Sequence, residues 1–305
     1  MTFMGHDVST LLKATGREIM EDRVTTLAAQ TAYYFFFSLF PLLLFLAPLL
    51  TMLVEQETFM RMVTSQLTAV VPDAAVQPIA LVMRDVVFVD DAPGLISMGI
   101  LLAAWSGSNI FGALTTSLNI AYDVDEWRPW WRRQLVRLGM LVVGGTVIIT
   151  ATVVILAGDD IARAVGASVG LGAETVRLWT FAQYPVAFGF VVLFAFLSYW
   201  LLPNVQQKKR YILVAAVSAS VLWLVATLIF RVYVQRFPPN PAYGIIGGIM
   251  ILLTWMYLSM LIVLIGGELA SELHHGTGAV APRRGATYFG RVVSGETPGK
   301  VSPLA

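Results

Sequence analysis

Three stretches of this chain run for 31 residues each without a charged side chain: Val24–Val54, Ala92–Tyr122 and Phe237–Gly267. About 20 apolar residues suffice to cross the hydrocarbon core of a bilayer, so each stretch can span it with turns to spare. Leu138–Gly158, Leu178–Gln207 and Tyr211–Phe230 are also uncharged and add three more candidates. The expected fold is all-α, a polytopic membrane protein with six transmembrane helices over residues 24–275. A polar amphipathic segment at 1–23 precedes them, and a tail at 276–305, rich in Gly, Pro, Ser and Arg, is expected to be disordered. Only 13% of the residues are charged, about half the usual share of a soluble domain, and no length is left for a separate catalytic domain. Cysteine is absent, which excludes disulfides, thiolate metal sites and a cysteine nucleophile.

The basic residues orient the spans. The gaps 1–23, 123–137, 208–210 and 268–305 hold 14 of the 20 Lys and Arg, whereas 55–91, 159–177 and 231–236 hold 6. The positive-inside rule then places both termini in the cytoplasm, as an even number of spans requires. Residues 1–23 carry Lys13, Arg17, Glu18, Glu21, Asp22 and Arg23, and the apolar run behind them is too long for a signal peptide, so a retained first span is expected. Between spans one and two, apolar spacing at Phe59, Met62, Val63, Leu67 and Val70, then at Ile79, Val82, Met83 and Val86, predicts two extracytoplasmic amphipathic helices broken at Pro72.

Several residues inside or beside the spans are candidates for function. The first span carries Ser38 and Pro41, with a second proline at Pro48, and proline within a helix frees a carbonyl that lipid cannot satisfy. The second places Ala104, Ser108, Gly112 and Thr116 at every fourth residue, a small-residue face suited to close helix packing, and adds the amides Asn109 and Asn119 near Tyr122. The loop Asp123–Arg137 mixes four arginines, Arg128, Arg132, Arg133 and Arg137, with Trp127, Trp130 and Trp131. Tryptophan settles at headgroup level and arginine pairs with lipid phosphate, so this loop reads as an interfacial anchor or a docking patch for an anionic headgroup.

Glu268 follows the last uncharged run. A carboxylate at membrane depth is costly to ionise and marks ion or proton pathways, whereas one at the interface serves as a cap or an ion-pair partner. Glu272 and His275 have the spacing of half a metal site, but the remaining histidines, His6 and His274, offer no matching half, and no metal or other cofactor is expected.

Taken together the spans resemble the YihY/BrkB family of bacterial inner-membrane proteins, which has also carried the name ribonuclease BN. The resemblance covers about residues 15–275. It rests on Ala32-Tyr33-Tyr34, Phe37-Ser38-Leu39-Phe40-Pro41, Leu118-Asn119-Ile120-Ala121-Tyr122 with Glu126 and Arg128, and Leu202-Pro203-Asn204. The last span adds Tyr243-Gly244, Trp255-Met256-Tyr257-Leu258-Ser259 and Gly266-Gly267-Glu268-Leu269, with Gly267 where relatives often carry alanine. The resemblance implies a six-span, all-helical protein of the bacterial inner membrane.

Phosphodiester hydrolysis usually takes metal-binding carboxylates or histidines in an aqueous site wide enough for RNA. The cytoplasmic loops at 123–137 and 208–210 are too short for that, so neither enzyme activity nor a nucleic-acid partner is expected. The leading expectation is export of an amphipathic lipid or lipid-linked substrate, with membrane lipids as partners. Sodium- or proton-coupled ion efflux through Glu268 is the alternative, a non-transporting scaffold a third reading, and assembly with further copies of the chain stays open.

Overall fold

A computed structural model of the chain describes residues 2–3, 6–51, 61, 64, 76, 78, 92–156, 158, 162–163, 173–237, 244–275, 287–288 and 291–292. These residues are helical apart from short turns and two antiparallel hairpins of two-residue strands, β1 (Thr2–Phe3) with β2 (His6–Asp7) and β3 (Thr287–Tyr288) with β4 (Arg291–Val292). The helices are α1 (Val8–Glu21), α2 (Val24–Thr51), α3 (Ala92–Ala121), α4 (Trp130–Leu156), α5 (Ala173–Leu201), α6 (Lys209–Arg236) and α7 (Gly244–His275).

Among the described residues, four helices hold apolar segments of membrane length: Trp130–Ala151, Phe181–Leu201, Lys209–Arg236 and Ile246–His274. α2 and α3 run for 28 and 30 residues. Side chains on α6 show what solvent they are built for. Leu213, Val217, Val221, Leu224, Leu228 and Val232 are all exposed along its length, a surface that aggregates in water and is at home in lipid.

Helix boundaries depart from the uncharged runs. α4 begins at Trp130, ahead of Arg132, Arg133 and Arg137, so the stretch Asp123–Arg137 is only in part a loop. The Pro129 carbonyl accepts the N–H groups of Arg132 at 2.9 Å and Arg133 at 3.1 Å, and proline's fixed φ suits a helix entry. Long basic side chains can lie along a helix and keep their charge at the interface, so the charge pattern marks where helix meets headgroups rather than where helix starts. α5 conversely stops at Leu201 and not at Gln207, because Pro203 cannot continue it. The expected helix pair at 55–91, apart from isolated helical positions, lies outside the described residues, as do the proline turn at 238–241 and nearly all of the tail.

Consecutive helices from α2 to α7 pack side by side, α7 closes back on α2, and α7 also touches α1, α3 and α5. Small buried residues permit this approach: Ala28 and Ala32 on α2, Ala215, Ala216 and Ala219 on α6, and Ala270 on α7. α1 buries Leu11, Thr15 and Glu18, a stripe at helical spacing, and docks Leu11 on Tyr211 and Leu273. The chain reverses into α2 at Asp22–Arg23, where Arg23 takes a φ of 51°.

Candidate functional site

Three of the polar residues that sequence picks out, Asn119, Tyr122 and Arg128, converge where α3 ends. The N–H of Asp123 bonds the Ile120 carbonyl at 2.9 Å and that of Val124 the Asn119 carbonyl at 2.9 Å. Asp123 has a φ of 52°, so this is a Schellman stop carried by an aspartate, which tolerates the left-handed region better than most residues. The stop turns the chain across the α5–α6 connection. There Asn119, 3% exposed, accepts the Asn204 N–H on Oδ1 at 2.8 Å and donates through Nδ2 to Glu126 Oε2 at 3.1 Å. Only this orientation of the amide satisfies both partners.

Glu126 is the hub of the cluster. Its Oε1 accepts from the Arg128 backbone N–H at 3.1 Å and from Arg128 Nε at 2.8 Å, and its Oε2 accepts from Arg128 Nη2 at 2.6 Å. The same Nη2 donates to the Leu202 carbonyl at 2.7 Å, and Asn204 Nδ2 donates to the Asp125 carbonyl at 3.2 Å. One turn away Tyr122 donates its hydroxyl to Gln207 Oε1 at 2.6 Å, and Gln207 Nε2 donates to the Tyr199 carbonyl at 3.1 Å. The α3–α4 loop and the Leu202-Pro203-Asn204 turn are thereby locked into one polar knot.

Partial burial works against the charged form of Glu126, but the hydrogen bonds and charge of Arg128 outweigh it and hold the carboxyl below its ordinary value of 4.5. A group whose folded-state value is depressed adds stability that is fully present above its unfolded value and lost as pH falls through the folded one. Acidification below 4.5 should therefore lower the melting temperature of the wild type, and Glu126→Gln should flatten that part of the profile. Equal slopes in the two proteins would show that the knot does not titrate through Glu126.

Glu268 lies on α7 at the same end of the bundle, 1% exposed, with no hydrogen-bond partner for Oε1 among the described residues. The charges that act on it are acidic: Asp22, Glu18, Asp123 and Glu272. Its helix packs against α1, α2 and α3, and the neighbouring Gly267 faces Leu118 of α3. Among the described residues no three His, Asp or Glu that could hold a metal come together.

The other candidates are dispersed. Ser38 is buried on α2 and donates to its own helix at the Phe35 carbonyl, 2.7 Å away, while Pro41 is half-buried on the same helix. Asn109 is half-buried on α3, remote from the knot. The small-residue row of α3 meets α4: Gln134 Nε2 donates to Ser108 Oγ at 3.3 Å, and the Arg137 guanidinium lies against Gly112. Thr116, at the end of that row, is exposed. Arg132 is exposed and Arg133 half-buried at the start of α4. Sequence reasoning missed Gln207 and Tyr199, and counted Arg137 among the four arginines of the basic loop without singling it out. Arg137 carried one signal, its four-residue spacing from Arg133, whereas Gln207 and Tyr199 carried none.

The sequence pattern of the family described as Virulence factor BrkB matches residues 15–287. The chain is 31% identical over 253 residues to the ribonuclease-like protein YfkH of Bacillus subtilis (strain 168), covering 81% of this chain and 89% of that one. It is 24% identical over 280 residues to a UPF0761 membrane protein of Aeromonas salmonicida, covering 88% and 90% respectively. A UPF0761 membrane protein of Nitrosospira multiformis is 28% identical over 213 residues, 68% of this chain but 47% of that longer relative. No solved structure matches the chain.

Proposed function

Because this chain belongs to the family of membrane proteins described as Virulence factor BrkB, we propose that it crosses the bacterial inner membrane six times and exports an anionic amphipathic lipid or lipid-linked molecule. In this reading α2 and α3 join the four apolar helices as spans, and the end bearing the polar knot faces the cytoplasm. What carries the reading is the edge where α4 enters the membrane. Trp127, Trp130 and Trp131 are 81%, 72% and 58% exposed there, beside the exposed Arg132 and the half-buried Arg133. Exposed indoles anchor at headgroup level and arginines pair with phosphate, so this edge is suited to take up a charged lipid from the inner leaflet. We do not extend the ribonuclease-like name of the Bacillus relative to this chain, whose two connections at this end, 122–129 and 202–208, are short.

Glu268 favours a second reading, ion efflux coupled to protons or sodium, since a buried carboxylate with no partner for one oxygen among the described residues is an expensive feature to keep. One experiment separates the two. Proteoliposomes with labelled anionic or neutral lipid are followed by quencher accessibility. The wild type should move the anionic lipid faster than empty liposomes do, Arg132→Ala with Arg133→Ala should abolish most of that rate, and Glu268→Gln should leave it largely intact. No movement by folded protein would sink lipid export. Proton or sodium flux lost only in Glu268→Gln would establish the second reading, and indifference to both substitutions would leave a scaffold.

A further inference from the structure

Two guanidinium groups at the start of α4 form no ion pair among the described residues. Arg133 and Arg137 lie four residues apart on one face of the helix, both half-buried, and they repel one another electrostatically. The Nε atoms of both are buried and have no hydrogen-bond partner among the described residues. Glu126 is the nearby carboxylate that attracts Arg137, but its oxygens already accept three bonds from Arg128 and one from Asn119. Four acceptances fill the lone-pair positions of a carboxylate, so Glu126 has none left for the other arginines.

The position of Arg137 is built rather than incidental. Its guanidinium lies over Gly112 of α3, and a Cβ on that glycine would come within 2.9 Å of Arg137 Cζ and 3.2 Å of Nη1. Any larger residue at 112 would push the fork out of the groove between α3 and α4. Arg128, by contrast, commits Nε and Nη2 to Glu126 and Leu202, and Arg132 projects from the helix as an exposed side chain.

We propose that Arg137, seated over Gly112, and Arg133, one turn before it on α4, form a cradle for the phosphate of an anionic phospholipid headgroup, with Trp127, Trp130 and Trp131 marking its depth. Planar guanidinium forks match phosphate geometry, and burial at the edge of the hydrocarbon makes an unmatched pair of cations costly until an anion arrives. A lipid rather than a free anion is the fitting occupant, because α4 is an apolar helix of membrane length and its surface beyond the cradle is exposed at Val142 and Ile149. The proposal rests on the membrane reading of α4 given above, and it names the substrate class at that edge.

The chain has no cysteine of its own, so a single reporter can be placed beside the cradle. Thr116→Cys, exposed on the same row of α3 as Gly112, would carry bimane in nanodiscs of phosphatidylcholine. Doxyl-labelled phosphatidylglycerol and doxyl-labelled phosphatidylcholine serve as quenchers. At the usual worth of a basic residue near a lipid surface, two arginines should lower the half-quenching mole fraction of the anionic lipid about tenfold or more relative to the neutral one. Arg133→Gln with Arg137→Gln should bring the two lipids close to parity, and Arg132→Gln should keep most of the preference. Should the glutamine pair fail to fold, Arg133→Lys with Arg137→Lys keeps the charge and loses the forks, and its preference should still fall severalfold.

A preference that survives in the glutamine pair, or in the lysine pair when only that one folds, overturns the cradle. Equal loss in Arg132→Gln overturns it too, by showing diffuse surface charge. Abolition of the wild-type preference by excess inorganic phosphate would make this a site for the free anion and overturn the lipid assignment. Intact quenching preference in a protein that translocates nothing would reject export while leaving the cradle standing.

Discussion

Gly266→Ala is expected to destabilise the bundle by about 2–4 kcal/mol, through overpacking together with the loss of one buried hydrogen bond. A Cβ at this position would run into the Tyr199 hydroxyl oxygen and lie 2.6 Å from the Ala219 Cβ, so it collides with α5 and α6 at once. Neither neighbour can give way cheaply. Tyr199 is fully buried and donates its hydroxyl to the Val263 carbonyl at 2.7 Å, and Ala219 has no side chain to rotate. The adjacent Gly267 supplies the control. Its added Cβ would meet Leu118 Cδ2 at 2.6 Å, the far end of a flexible side chain, so Gly267→Ala should cost less than about 1 kcal/mol. Unfolding of both variants in detergent, followed by circular dichroism, makes the comparison. Equal effects at the two glycines would mean that α7 does not sit against α5 and α6 as closely as the structure places it.

The second large effect is expected at the polar knot. Glu126→Ala removes the acceptor of three Arg128 bonds and one Asn119 bond while leaving both donors in place. Breaking a fully buried pair from one side costs about 3–5 kcal/mol, and here the side chains retain 12% and 18% exposure, so about 2–3 kcal/mol is expected. Arg128→Met in the same background should recover part of the loss, because it removes the stranded cation. A double-mutant cycle should accordingly return a coupling of more than about 1 kcal/mol. Additive effects would show that the two residues stabilise the loop independently.

How much of this was legible in the chain differs from residue to residue. The helices of membrane length announce themselves, because a run without charge has few other places to go. Their ends do not. Arg132, Arg133 and Arg137 stand inside α4, since a long basic side chain can be helical and interfacial at the same time. Asn119, Tyr122 and Arg128 were visible as polar or basic residues in or beside an apolar segment, yet their partners Asn204, Gln207 and the Leu202 carbonyl lie more than seventy positions away. Pairings of that range leave no periodicity in a single chain. Glu268 stood out as the end of an uncharged run, but its surroundings of Asp22, Glu18, Asp123 and Glu272 come from three separate helix ends that packing alone brings together.

By itself, then, the sequence determined the solvent and the class of fold, because hydropathy over twenty or more residues is a local sum that no tertiary contact can reverse. Tertiary structure decided which polar groups satisfy one another and which, among the described residues, remain without a hydrogen-bond partner. That distinction separates Arg128, closed into the knot, from Arg133 and from Arg137 over Gly112, whose buried Nε atoms have no hydrogen-bond partner among the described residues. It depends on distances of a few ångströms between helices far apart in sequence, and on the one missing side chain at Gly112 that lets a guanidinium lie flat between α3 and α4.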